Sequence, residues 1–150
     1  MRYRKPNRLP HEAYDDRDAV FHVIVSALPG EAPFRDRTLG DTVWRVVEGE
    51  LERPAVRLAA ACLMPDHLHL VVSPEEKTLI RWMNDFKSYT THLSKGIRGR
   101  RFLWQRSFYD RKLRADGEFE TAVHYVTRNP VTAGLVEEAL DWPWVGAWTE

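Results

Sequence analysis

Apolar residues along the chain switch between a two-residue and a 3.6-residue rhythm, and the switches predict the elements. Ala19, Phe21, Val23, Val25 and Ala27 alternate with Val20, His22, Ile24 and Ser26. That is the pattern of a strand with one buried face, ended here by Pro29, Gly30 and Pro33. Thr38 suits the N-cap of a helix running to about Glu52, because Leu39, Val43, Val46, Val47 and Leu51 gather near one side and Pro54 stops it. A mostly apolar strand over 56–63 leads into a tight Met64-Pro65-Asp66 turn, from which a third strand returns over 67–72. Helical spacing resumes over about 77–94, with Leu79, Ile80, Met83, Phe86, Thr90 and Leu93 toward a core. Gly96 and Gly99 mark a loop, and the aromatic-rich run 104–113 predicts a fourth strand. Phe119, Ala122, Val123 and Val126 stand at i, i+3, i+4 and i+7, predicting a short amphipathic helix with Asp116 as its cap and Glu118 and Glu120 favourable to its dipole.

The order strand, helix, strand, strand, helix, strand is that of a split βαβ unit. The predicted class is therefore α+β: a ferredoxin-like antiparallel sheet with helices on one face, followed by an extra C-terminal helix. With 150 residues, 43% of them hydrophobic, one domain over 1–150 can bury a real core. Residues 1–14, basic and Pro-containing, read as a loosely held arm. Residues 136–150 carry Trp142, Trp144 and Trp148 and are expected to fold back, since so much aromatic surface is costly to leave in water. Neither a membrane-spanning apolar run nor a secretory signal is visible, so the expectation is a cytoplasmic protein with no membrane partner. Cys62 lies in an apolar segment and is expected in the core.

Charge changes the picture through its distribution. The 22 basic and 22 acidic residues cancel. Yet Lys87, Lys95, Arg98, Arg100, Arg101, Arg106, Arg111, Lys112 and Arg114 crowd one stretch against Asp110 alone. Interleaved with Tyr89, Phe102, Trp104, Phe108 and Tyr109, this stripe suits a phosphate backbone with unstacked bases on aromatic rings; a solvated charged face is the plainer alternative.

On the predicted third strand His67 and His69 project from one side while Leu68, Leu70 and Val72 project from the other. Two imidazoles on one face can hold a metal, and the same spacing also occurs on solvated polar faces. His22 reaches the same surface if the first and third strands are neighbours, although a single histidine on a strand is more often structural. Tyr125 lies at the margin of the last helix's apolar stripe, with Asn129 one turn further on the same side. Each alone also reads blandly: a boundary tyrosine, and an N-cap for a turn begun by Pro130.

Four stretches together are more specific. Met64-Pro65-Asp66-His67-Leu68-His69, Trp104-Gln105-Arg106-Ser107-Phe108-Tyr109-Asp110, the run 125–135 (Tyr-Val-Thr-Arg-Asn-Pro-Val-Thr-Ala-Gly-Leu) and Asp141-Trp142-Pro143-Trp144 resemble, in that order, the REP-associated tyrosine transposases. These are HUH single-strand nucleases related to the transposases of the smallest insertion sequences. In the insertion-sequence branch a glutamine stands four residues after the tyrosine; Asn129 here follows the REP-associated pattern. The resemblance implies Tyr125 as nucleophile, His67, His69 and Asn129 as ligands of Mg²⁺ or Mn²⁺, and cleavage and joining of single-stranded or hairpin DNA through a 5′-phosphotyrosine. It also implies a monomer or homodimer, nucleoid-associated when bound to DNA. Lys87, Lys95, Arg98, Arg100, Arg101, Trp104, Arg106 and Arg111 are the expected DNA contacts. Two rivals remain: a regulator that binds DNA without cutting, and a histidine-triad nucleotide hydrolase, whose nucleophile would fall where this chain has Val71.

Overall fold

A computed structural model describes residues 18–53 and 55–148. The predicted basic arm at 1–14, Pro54 and the last two residues of the tail lie outside the described residues. The elements are β1 (Val20–Ser26), α1 (Arg37–Gly49), β2 (Val56–Leu63), β3 (His67–Pro74), α2 (Leu79–Arg98), β4 (Tyr109–Leu113), α3 (Glu118–Thr132) and β5 (Val145–Ala147). They form one five-stranded sheet in the order β4-β1-β3-β2-β5, every neighbouring pair antiparallel. The α+β, split βαβ expectation is met, with β5 added at one edge.

Strand alternation divides the apolar residues between two layers. Phe21, Val23 and Val25 of β1 and Leu68, Leu70 and Val72 of β3 point to one face, where Leu39, Val43 and Val47 of α1 and Leu79, Met83 and Phe86 of α2 cover them. The predicted helices-on-one-face arrangement describes these two only. α3 lies on the opposite face, where Ala122 and Val126 pack on Ala60, Cys62, Met64 and Val71. Val71, the place a histidine-triad nucleophile would take, is fully buried in this second layer.

Several boundaries move, each for a local reason. Asp36, not Thr38, caps α1, its carboxylate accepting from the Leu39 N–H at 3.2 Å. α2 starts after Thr78, whose hydroxyl accepts from the Arg81 N–H, and runs past Gly96 to Arg98, where Gly99 at φ +72° closes it. Gly117 rather than Asp116 occupies the N-cap of α3 with φ +85°. α3 also continues through Pro130 to Thr132, so Asn129 lies within the helix and caps no separate turn. Pro130 lacks an N–H, and beyond it the Ala133 N–H donates to the Asn129 carbonyl.

Over its described residues the tail folds back onto the domain. Trp142 Nε1 donates to the Leu63 carbonyl, Trp144 Nε1 to Asp41 Oδ1, and β5 extends the sheet beside β2. Gly40 on α1 makes this possible, because a Cβ there would overlap the Trp144 ring.

Candidate active site

The Pro65-Asp66 turn is pinned from outside: the Phe34 N–H donates to the Pro65 carbonyl and the Ala27 N–H to the Asp66 carbonyl. β3 therefore starts at a fixed register, with His67 opposite Ser26 and His69 opposite Ile24. The pleat sends both imidazoles to the α3 side. His22, opposite Val71, lies diagonally across from His69 on the same face.

A continuous chain of contacts results. Asp66 Oδ1 accepts from His67 Nδ1 at 2.6 Å, His67 Nε2 lies 3.0 Å from His69 Nε2, and His69 Nδ1 lies 3.2 Å from His22 Nε2. Asp66 read from sequence only as a turn residue; its adjacency to a strand-starting histidine was the available signal.

α3 brings Tyr125 to the same place. Ala122 and Val126 are the buried anchors, which leaves Tyr125 at the border of the packed stripe and 50% exposed. Its ring centroid is 5.6 Å from that of His69 and 5.7 Å from that of His22, edge-on to both. Asn129 follows one turn later, half-buried and on the same side of the helix. Beside Tyr125 a cleft of about 750 Å³ opens between β4 and α3, lined by His22, Tyr109, Arg111, Glu118 and Thr121 among others.

Electrostatics keep the inner rings neutral. His69 is 1% exposed, and burial, then the neighbouring His67 and His22, lowers its pKa to about 2. His22 is lowered to about 4, by burial first and the Arg111 guanidinium second. Neutral imidazoles keep a lone pair for a cation. Cys62 is pushed up to about 12 by burial, an inert core thiol as expected.

Does the pair fit a metal? Adjacent corners of an octahedron with bonds of about 2.1 Å stand about 3.0 Å apart. The two Nε2 atoms stand at that separation. Asp66 on His67 Nδ1 supplies the outer carboxylate that commonly orients a ligating histidine. No cluster of three His, Cys, Asp or Glu side chains suited to enclosing a metal occurs among the described residues, so further ligands would be an amide or solvent. Residues and separations fit a divalent cation with open positions.

The predicted DNA contacts divide. Lys95, Arg100, Arg101, Arg106 and Arg111 are exposed, and Arg98 is half-buried. Gln105 ties the loop that carries Arg100, Arg101 and Arg106 to the site's end of the sheet, its N–H donating to the Ser26 carbonyl and its side-chain amide to the Ala27 carbonyl. Arg111 pairs with Glu118 at 3.2 Å. One expectation is corrected. Trp104 is 7% exposed, packed among Phe34, Phe86 and Phe102, with Nε1 donating to Thr90 Oγ1, so its face is closed to a base. Only an isolated bridge to Ala27 forms there, and β4 begins five residues later, at Tyr109. Lys87 is half-buried, and its ammonium donates to the Gln105 and Arg106 carbonyls.

The family description "Transposase IS200 like" matches residues 18–129. The chain belongs to this transposase family. Relatives are a REP-associated tyrosine transposase of Escherichia coli, 28% identical over 101 residues that cover 65% of this chain and 58% of that one, and a Haemophilus influenzae protein assigned to the same group, 32% identical over 97 residues covering 57% and 55%. The matches thus span little more than half the length of these curated relatives. A solved structure of a REP-associated tyrosine transposase bound to a REP hairpin superposes with a TM-score of 0.67 at 21% identity, covering 97% of this chain and 81% of that one, which shows a shared fold. No helix among the described residues is long and apolar enough to cross a membrane.

Proposed function

We propose that this transposase cuts and rejoins single-stranded DNA carrying a hairpin, with Tyr125 as nucleophile and His67, His69 and Asn129 as the protein ligands of Mg²⁺ or Mn²⁺. The observation that carries the reading is the approach of the Tyr125 ring to the histidine face. A bound divalent cation would supply charge stabilisation at a non-bridging phosphate oxygen. The chain's own residues do the rest. Asp66 orients His67, and burial keeps His69 unprotonated. Tyr125 is exposed enough to meet a phosphodiester, and Arg111, which lines the adjoining cleft, offers a cation to the backbone.

In the step itself the Tyr125 oxygen bonds to phosphorus as the bond to the 3′ oxygen breaks. The phenol's proton passes to solvent or a neighbouring base, and the departing 3′ oxygen takes up a proton. A 5′-phosphotyrosine and a free 3′ hydroxyl result, and a second 3′ hydroxyl can reverse the exchange without ATP. Both halves of the site come from one chain, so a monomer suffices in this reading.

The test is a labelled hairpin oligonucleotide incubated with Mn²⁺ or Mg²⁺. We expect a covalent protein–DNA adduct that chelator prevents. Tyr125→Phe should remove it while leaving binding intact. An adduct that persists in Tyr125→Phe would move the nucleophile elsewhere. Binding without cleavage, across several hairpins and both metals, would leave a DNA-binding regulator.

A further inference from the structure

Hydrogen-bond direction along the histidine chain singles out a residue that the ligand set does not include. The Asp66 carboxylate can only accept, so the Nδ1 of a neutral His67 donates to it and its Nε2 has a lone pair and no proton. His69 Nε2, 3.0 Å away, must then carry a proton and donate, which leaves His69 Nδ1 an acceptor. The remaining partner, His22 Nε2 at 3.2 Å, must be the donor. With three neutral rings, this is the single consistent order: His22 to His69 to His67 to Asp66.

A cation shared by the two Nε2 atoms needs the opposite state at His69. Its Nε2 must present a lone pair, so its proton moves to Nδ1 and requires an acceptor there. His69 is enclosed by the sheet and α3, and the group standing at its Nδ1 is His22 Nε2. A ring nitrogen can serve as donor in one state and acceptor in the other. A carbonyl could only accept, an ammonium only donate.

We propose that His22 is a positioning residue for the histidine pair: by reversing its hydrogen bond to His69 Nδ1 it fixes which lone pair His69 turns toward a divalent cation. The inference rests on the metal reading above. Protons balance: each ring carries one before and after, with those of His22 and His69 both moving from Nε2 to Nδ1 by exchange with solvent, and His67 unchanged. The role concerns β1, an element contributing neither nucleophile nor ligand, and gives a chemical reason for a histidine in the middle of a strand whose other residues before Ser26 are apolar.

Two measurements test it. In protein with ¹⁵N-labelled histidine, long-range ¹H–¹⁵N spectra at mildly alkaline pH should place the proton on Nε2 of His22 and His69 without metal. With saturating Mg²⁺ both should carry it on Nδ1, while His67 keeps Nδ1–H throughout. Separately, Mn²⁺ titration followed by water-proton relaxation should show His22→Phe binding about 10- to 100-fold more weakly than the parent, the usual range for losing an outer partner of a ligating histidine. His22→Gln, whose amide both donates and accepts near the place of Nε2, should recover most of that loss. Parent-like Mn²⁺ affinity in His22→Phe, or a His22 that keeps Nε2–H when metal is bound, would overturn the role of His22 and leave the metal pair standing. Parent-like affinity in both His67→Ala and His69→Ala would remove the metal reading itself, and this inference with it.

Discussion

The sheet's two faces carry different loads, though the same strands build both. Under α1 and α2, β1 and β3 contribute Phe21, Val23, Val25, Leu68, Leu70 and Val72 to one large apolar layer. Under α3 the packed patch is small, Ala60, Cys62, Met64, Val71, Ala122 and Val126, and it gives way at one end to His22, His67 and His69. Alternation lets one strand serve both: Leu68 and Leu70 lock β3 in place while His67 and His69, in between, face the reactive side. The closed face provides stiffness. The open face spends it on holding three imidazoles and a phenol within reach of one another.

The contrast can be broken experimentally. Its largest expected effect is on the closed face: Phe21→Ala should cost about 3–5 kcal/mol in urea unfolding, transfer and cavity terms together. Val126→Ala on the other face should cost less, about 1.5–3 kcal/mol. Equal losses would mean that both faces carry the fold alike. Next comes the seam between α1 and the tail. Gly40→Ala must push the Trp144 ring away, and overpacking of this kind should cost about 1–3 kcal/mol with a change in near-ultraviolet circular dichroism. An unchanged spectrum and stability would show that the tail is not seated against α1.

A smaller effect should follow acidification in the presence of chelator. Burial chiefly lowers the pKa of His69 to about 2 and that of His22 to about 4 in the folded protein, against about 6.5 when unfolded. Between those values the unfolded chain binds more protons, so stability present above about pH 6.5 is lost as pH falls toward 4. The loss approaches about 1.4 kcal/mol per pH unit for each group within its window. A melting temperature that stays flat from pH 7 to 5 would show that protons reach the rings without opening the fold. Smallest is the response of Cys62: its thiol should resist alkylation at pH 8 and react only as fast as the protein unfolds. Rapid labelling of native protein would mean that the packing under α3 opens readily.

Much of this was legible in the sequence where the signal is local. Alternation placed β1, β2 and β3, and the i, i+3, i+4, i+7 set of Phe119, Ala122, Val123 and Val126 gave the buried side of α3. Tyr125 at the margin of that stripe was readable for the same reason. Trp104 misled because an aromatic ring in a basic run looks the same from sequence whether it faces bases or Phe34, Phe86 and Phe102.

By itself the sequence determined the strand and helix order, the side of β3 that bears His67 and His69, and the membership of Tyr125 and Asn129 in one helix face. All follow from backbone geometry that repeats every two or 3.6 residues and needs no distant partner. Only the tertiary structure decided that α3 crosses the sheet on the histidine side, that β1 lies beside β3 so that His22 meets His69, and that Trp104 turns inward. Those outcomes depend on which apolar surfaces cover one another, a property of the whole packed chain that no local period encodes.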